Sequence, residues 1–180
     1  LHVIRFLLIC LLPLSSLAQT SITDYVLFSG NGTVPGATSG TPASPGYATQ
    51  LGSSAKINGG IVGATNLVQT TGSAQITGSI RTNGKVVLSN SNKVTGVIIA
   101  GNSAAATKAI QIGSSANLGG NIDGNGSVSV TSGTVSGQVT IPTGKTYTGP
   151  KTVGGIVYGT TASPSLPALH NLYVFSAAGH

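Results

Sequence analysis

The sequence holds very few side chains that could carry out acid–base chemistry. Its two carboxylates are Asp24 and Asp123, whereas glycoside hydrolysis needs a pair within about 5–10 Å. In a repetitive chain we expect these two acids at opposite ends. Arg81 is the one arginine beyond residue 5, and His170 and His180 lie near the chain end with no acid nearby in sequence to orient them. We therefore expect no catalytic residues and no enzymatic activity.

One segment is the best candidate for a metal site. Residues 119–126 read G-G-N-I-D-G-N-G, in which Asp123 and Asn125 alternate with glycines as in calcium-binding loops. The segment lacks the second acid and the closing glutamate of such loops, which favours a polar turn between Ile122 and Val128. We expect no metal site and no cofactor.

The cations of the chain are spread along the sequence. The formal net charge is +6, which could suggest a nucleic-acid partner, but the cations are never adjacent and few aromatic residues accompany them for base stacking. We expect no nucleic-acid partner. A weak electrostatic attraction to anionic cell-surface or extracellular polysaccharide is left open. The cations beyond residue 5 are Lys56, Arg81, Lys85, Lys93, Lys108, Lys145 and Lys151.

The overall composition excludes several classes of protein. Only 6% of residues are charged, against about a quarter in an average soluble domain. The 39% hydrophobic content argues against disorder. Glycine shows no three-residue period as in collagen, and the 27 glycines argue against long helices. What remains is an all-β protein.

A repeated motif predicts the architecture. Five segments fit S-x-x-h-x-G-x-h, where h is Ile, Val or Leu, at spacings of 19, 18, 24 and 17 residues. Short alternating apolar segments lie between them, such as 110–112 and 128–130. We predict a single-stranded β-solenoid, a right-handed β-helix of five to six turns, and rank a β-sandwich below it. The five segments are 54–61, 73–80, 91–98, 115–122 and 132–139.

Two positions of the motif have further consequences. The glycine is expected to adopt a positive φ or to allow close stacking of turns; it occurs at positions 59, 78, 96, 120 and 137. The third position is expected to point outward; it holds Lys56, Gln75, Lys93, Asn117 and Thr134.

The first 18 residues are typical of a secretory signal peptide. Arg5 precedes an apolar segment, and small residues lead to a predicted cleavage after Ala18. The apolar run is too short for a membrane anchor, and Ile9 before Cys10 argues against a lipoprotein signal. We predict a secreted protein, at the bacterial cell surface or extracellular, with no membrane span in the mature chain and no disulfides.

The chain divides into four predicted regions. Residues 1–18 are the signal peptide, and residues 19–50 hold a strand at 24–30 that could cover the first turn, followed by a Gly/Pro/Ser/Thr loop. Residues 51–149 form the solenoid, with a loop bulging out at 100–107. Residues 150–180 are a Pro-containing tail, interpreted as the truncated start of a further module, with a strand beginning at 172–175.

The leader, the repeats and the segment V-T-I-P-T-G-K-T-Y-T-G-P at 139–150 together resemble the N-terminal regions of secreted surface proteins of Bacteroidota. The resemblance covers residues 20–178 and implies a secreted surface module without known catalytic residues. The turn pattern is also similar to that of bactofilins, which are polymer-forming cytoskeletal β-solenoids. Because bactofilins are not exported, that similarity implies the fold alone.

Three functions remain in view. The first is a non-catalytic structural or adhesive surface module, in which the solenoid is a scaffold or spacer of a larger protein. The second is a glycan-binding or, less favoured, ice-binding face of outward Thr, Ser and Asn ladders. The third is self-association through the solenoid ends, because an uncapped end presents unpaired strand groups. The threonines considered for the ladder are Thr77, Thr82, Thr95, Thr131 and Thr140.

Overall fold

The computed structural model describes residues 22–30, 48–102, 108–161, 164, 166 and 167. Several predicted features lie outside the described residues. They are the signal peptide 1–18, residues 31–47 of the loop predicted up to residue 50, residues 103–107 of the bulge predicted at 100–107, the strand at 172–175, and His170 and His180.

The regular secondary structure of the described chain is all β-strand, apart from one short 3₁₀ helix at Ile22–Asp24. Most strands have two to five residues, as expected where glycine, serine and asparagine interrupt alternating apolar residues, whereas β3 and β5 are longer because each continues across two faces. The strands are β1 (Tyr25–Ser29), β2 (Ala48–Leu51), β3 (Ala55–Ala64), β4 (Leu67–Thr70), β5 (Ala74–Thr82), β6 (Lys85–Leu88), β7 (Lys93–Val94), β8 (Ile98–Ala100), β9 (Ile110–Ile112), β10 (Ala116–Leu118), β11 (Ile122–Gly124), β12 (Val128–Val130), β13 (Gly133–Val135), β14 (Val139–Ile141), β15 (Tyr147–Thr148) and β16 (Ile156–Tyr158).

These strands wind into a β-solenoid of about six turns, which confirms the predicted fold class. Every pairing between named strands is parallel, and each turn contributes one segment to each of three faces. Face 1 contains β2, β4, β6, β9, β12 and β15. Face 2 contains residues 55–58 of β3, residues 74–77 of β5, then β7, β10, β13 and a bridge at Thr152. Face 3 contains β1, the second halves of β3 and β5, then β8, β11, β14 and β16.

Hydrogen bonds between turns run along the solenoid axis. On face 3, the amide of Ile80 donates to the Val97 carbonyl over 2.9 Å, and the amide of Ile98 donates to Asn121 over 2.9 Å. Because parallel strands lie about 4.8 Å apart, six turns give a rod about 24 Å long. The backbone thus joins every turn to the next without a gap.

The core is a set of aliphatic columns inside the coil. Strands such as β9, β12 and β14 are buried at their first and last residues and less buried between them. On face 3 the column runs through Val62, Ile80, Ile98, Ile122 and Val139, each at most 1% exposed. No single turn could bury such residues alone, so the stacking of turns creates the core.

The first copy of the motif departs from the predicted alignment. The motif aligned Ile61 with Ile80, but the structure pairs Val62 with Ile80 and leaves Ile61 outside the buried column. The register shifts by one residue between Asn58 and Ile61, where Gly59 and Gly60 have φ values of 79° and 64°. This β-bulge inserts one extra residue into β3, and the two glycines adopt the positive φ values that it requires without steric cost.

The repeated glycine allows close stacking of the turns. A methyl group at Gly78, Gly96, Gly120 or Gly137 would overlap the carbonyl oxygen of a glycine one turn earlier. Of the five motif glycines, Gly59 alone has a positive φ. Both predicted reasons for glycine, a positive φ and close stacking of turns, therefore occur. Close stacking explains four of the five positions, and positive φ explains Gly59.

The coil extends beyond the range 51–149 expected for it. β2 begins at Ala48, and β16 pairs with β14 at residues 156–158. The last turn is a degenerate sixth copy of the motif at 149–156, in which Gly149 replaces the serine and Thr152 the first aliphatic residue, while Gly154 stacks on the backbone of residues 137–138. At the other end, β1 pairs with β3 on face 3, as the sequence predicted for residues 24–30.

One buried asparagine stabilises the corner between faces 1 and 2. Asn92 is 1% exposed and occupies the column that holds Ala74 and Ala116 in neighbouring turns. Its side-chain carbonyl accepts the Ala74 amide over 2.9 Å, and its side-chain amide donates to the Ser89 carbonyl over 2.7 Å. The side chain thus satisfies backbone groups at a point where a turn of the coil bends.

Replacing a stacking glycine should destabilise the fold. Gly120→Ala should lower the free energy of unfolding by about 1–3 kcal/mol or more, because the added methyl meets the Gly96 backbone and cannot be accommodated by a side-chain rotation. Gly52→Ala is the matched control, since a methyl group there meets nothing within 4 Å. Urea denaturation followed by circular dichroism measures both; equal effects would contradict close stacking.

Replacing the corner asparagine should also destabilise the fold, although alanine is the common residue in that column. Asn92→Ala should cost about 1–3 kcal/mol, because the Ala74 amide and the Ser89 carbonyl lose their partner. Asn117→Ala, at an exposed position of face 2, should change stability by less than about 0.5 kcal/mol. A loss no larger for Asn92→Ala than for the control would show that the bonds to Asn92 are dispensable.

Candidate functional site

The two carboxylates lie far apart along the solenoid. Asp24 ends the 3₁₀ helix just before β1, and Asp123 is the central residue of β11. Four strand pairings separate β1 from β11, which is about 19 Å. Asp123 lies in the fourth turn rather than at the far end, but the separation still exceeds that of a glycosidase pair.

The loop that resembles a calcium site is engaged in structural hydrogen bonds. The Asn125 side-chain amide donates to the Gly101 carbonyl over 3.2 Å, and its carbonyl accepts the Thr161 hydroxyl over 3.2 Å. Asn125 begins the turn between β11 and β12. Within the described residues, no group of three or more His, Cys, Asp and Glu side chains comes together.

A small aromatic cluster covers the start of face 3. The rings of Tyr25 and Phe28 meet edge to face with centroids 5.0 Å apart, and both lie against Gly63. Burial raises the pKa of the Tyr25 hydroxyl, and the neighbouring positive charge of Arg81 partly opposes that rise. The cluster covers the first turn of the coil.

The five threonines considered for an ice-binding ladder do not form one regular outward row in the described residues. Thr82 is fully buried, with its hydroxyl accepting the Gly84 amide over 3.0 Å, so its expected outward position is wrong. Thr140 lies on face 3 and Thr131 at the corner between faces 1 and 2. Thr77 and Thr95 remain on face 2, so the five threonines are divided among different surfaces.

The outward column of face 2 is instead basic and polar. The register confirms the predicted equivalence of its first five positions, and all of them are exposed. The bridge between Val135 and Thr152 places Lys151 next to Thr134, which sequence reasoning missed because the sixth motif copy is degenerate. The 17-residue offset of Gly154 and Ile156 from Gly137 and Val139 could have revealed it. We call this column the basic strip: Lys56, Gln75, Lys93, Asn117, Thr134 and Lys151.

A row of hydroxyl groups borders the basic strip. Two shallow grooves lie at the corner between faces 1 and 2, one of about 200 Å³ and one of about 720 Å³. Three corner serines adopt positive φ, with values of 63°, 59° and 56° at Ser54, Ser91 and Ser115. We call this edge the serine corner. The first groove is lined by Ser54, Ala55, Lys56, Ser73, Gln75 and Ser91, and the second includes Thr131, Ser132, Thr148 and Pro150.

The remaining lysines approach face 1 at its other corner. Lys85 begins β6, whereas Lys108 and Lys145 precede β9 and β15 by two residues each. The structure therefore separates the lysines into two rows of three. The lysines of the basic strip are exposed, whereas Lys85 and Lys145 are partly buried.

Two further findings bear on function. Among the described residues, no helix is long and apolar enough to cross a membrane. Comparison of the chain with family models, curated proteins and solved structures finds no match.

Proposed function

We propose that this chain is a non-catalytic structural or adhesive module of a secreted bacterial surface protein, with the solenoid as its scaffold or spacer. The observation that carries the proposal is the unbroken stack of turns. Hydrogen bonds join each turn to the next, and one aliphatic core runs through them. Such a stack has a fixed length and a fixed outer surface, which suits a spacer that displays binding groups.

The outer surface supports the same proposal. On faces 1 and 2 most outward positions are Gln, Asn, Ser, Thr or Lys, which can contact a partner through hydrogen bonds or charge. The two acids are too far apart for paired carboxylate catalysis. The sequence of residues 1–18 supports export.

The purified chain should turn over no polysaccharide. Incubation with polygalacturonate, alginate and neutral glucans should release no reducing ends and no unsaturated uronates, because no acid pair flanks a bond to be cleaved. Asp123→Asn serves as the control variant. Time-dependent cleavage by the natural chain that Asp123→Asn abolishes would overturn the proposal.

Self-association through the C-terminal end of the coil is a second candidate, favoured by the exposure of β16. Ile156 and Tyr158 are 41% and 58% exposed, although they continue the columns of Val139 and Ile141, which are fully buried. Among the described residues, no strand pairs with the outer edge of β16. Thr161 donates a hydrogen bond to Asn125, so the described chain beyond β16 returns toward the fourth turn.

The partner of this edge would be a second copy of the chain. The first strand of the stack, β1, lies on the same face 3 and also exposes apolar side chains, with Val26 50% and Leu27 37% exposed. Because all paired strands are parallel, β16 of one copy could pair in parallel with β1 of the next copy. Such a head-to-tail contact leaves both far ends open for further copies.

Sedimentation equilibrium over a range of concentrations tests this association. The natural chain should show a mass that rises with concentration, and Ile156→Lys should remain monomeric because a buried charge would oppose the contact. Val87→Lys, an outward substitution on face 1, should associate like the natural chain. A natural chain that stays monomeric at all concentrations would exclude self-association.

A further inference from the structure

We propose that the basic strip and the serine corner together form one elongated binding surface for a linear anionic polysaccharide, whose chain lies along the solenoid axis. This inference rests on the proposed function, because it names the chemistry of the partner that an adhesive module would hold. It depends on four features of the described turns: the exposed lysines of the basic strip, the spacing between those lysines, the hydroxyl groups of the serine corner, and the absence of outward aromatic side chains on face 2.

The lysines of the basic strip have their charge available for an external anion. Lys56, Lys93 and Lys151 are exposed, and the chain has only two carboxylate side chains. Asp123 lies in β11 on face 3, and Asp24 ends the 3₁₀ helix before β1, so neither belongs to a strand of face 2. Because no acidic side chain shares face 2, a bound carboxylate or sulfate would meet no like charge there.

The spacing of the lysines suits a repeating polymer. Lys56 and Lys93 are two turns apart, or about 10 Å, and Lys93 and Lys151 are three turns apart, or about 14 Å. A sugar unit in an extended polysaccharide spans about one strand spacing. A chain lying along the axis would therefore place successive sugars opposite successive turns, with the lysines meeting only some of the acid groups.

The positions between the lysines can bind the neutral parts of a sugar chain. Gln75, Asn117 and Thr134 present amide and hydroxyl groups that donate and accept hydrogen bonds. The grooves of the serine corner add hydroxyl groups beside Lys56 at one end and beside Pro150, which directly precedes Lys151, at the other. Both grooves lie at the same corner, so one polymer could contact both.

The chemistry of the strip favours a polysaccharide over a nucleic acid. Single-stranded nucleic acids bind through aromatic side chains on which their bases stack. No outward position of face 2 in the described turns holds an aromatic residue. Sugar hydroxyls and carboxylates need no stacking platform, since hydrogen bonds and ion pairs suffice.

Isothermal titration of the full chain with polygalacturonate, an unbranched polyuronate, tests the inference. The triple variant Lys56→Gln, Lys93→Gln, Lys151→Gln should bind about tenfold more weakly, because each exposed ion pair contributes modestly and three are lost. The control is Lys85→Gln, Lys108→Gln, Lys145→Gln, which removes the same charge from the other row. It should lose less than about threefold, and added salt should weaken binding by the natural chain.

Three results would overturn the inference. Equal losses in the two triple variants would show attraction to net charge alone, with no defined surface. Tighter binding of single-stranded DNA than of polygalacturonate would assign the surface to nucleic acid. If the chain is folded by circular dichroism and does not bind polygalacturonate, the proposed polysaccharide-binding surface is wrong. The scaffold function would still stand, because only catalytic turnover overturns it.

Discussion

The close approach of successive turns is the constraint on which the rest of this structure depends. Parallel strands joined by hydrogen bonds lie about 4.8 Å apart, and the corners of the coil must keep the same spacing as the faces. At the corner between faces 2 and 3 the backbone itself fills the space, so Gly96, Gly120 and Gly137 can carry no side chain. At the corner between faces 1 and 2 the buried amide of Asn92 completes the hydrogen bonds. The glycines that recur at the corner between faces 2 and 3 follow from this spacing.

The scarcity of charge follows from the same geometry. In each turn the inward positions must be aliphatic to fill the core, and several corner positions must be glycine, so only outward positions can hold a charged residue. Charged residues at the same motif position line up along the axis, because register is kept from turn to turn. A few lysines spaced widely in the sequence therefore become a row in space, as Lys56, Lys93 and Lys151 do. Low charge content limits catalysis but does not prevent a charged surface.

The sequence predicted the fold class because the motif repeats at nearly constant spacing, and it predicted the outward slot of Lys56 and Lys93 for the same reason. It failed where a turn departs from the motif. The bulge at Gly59 and Gly60 shifts Val62 into the core, and the sixth turn was missed because Thr152 replaces an aliphatic residue. Thr82 was expected outside, since side-chain polarity alone does not reveal that its hydroxyl is satisfied by the Gly84 amide. Grooves depend on how corners stack in three dimensions, which periodicity does not specify.

The separation of core from surface explains how one chain could serve as both spacer and adhesive. Residues such as Ile110 and Ile122 stabilise the stack from inside, whereas their outward neighbours Gln111 and Asp123 make little contact with the core. Substitutions on the strip should therefore change binding without changing the rod, because side chains exposed on a sheet contribute little to its stability. The opposite holds at the ends of the coil. At the C-terminal end, Ile156 and Tyr158 continue the core columns but are exposed to solvent. A partner that covers this edge would therefore stabilise the last turn as well as drive assembly.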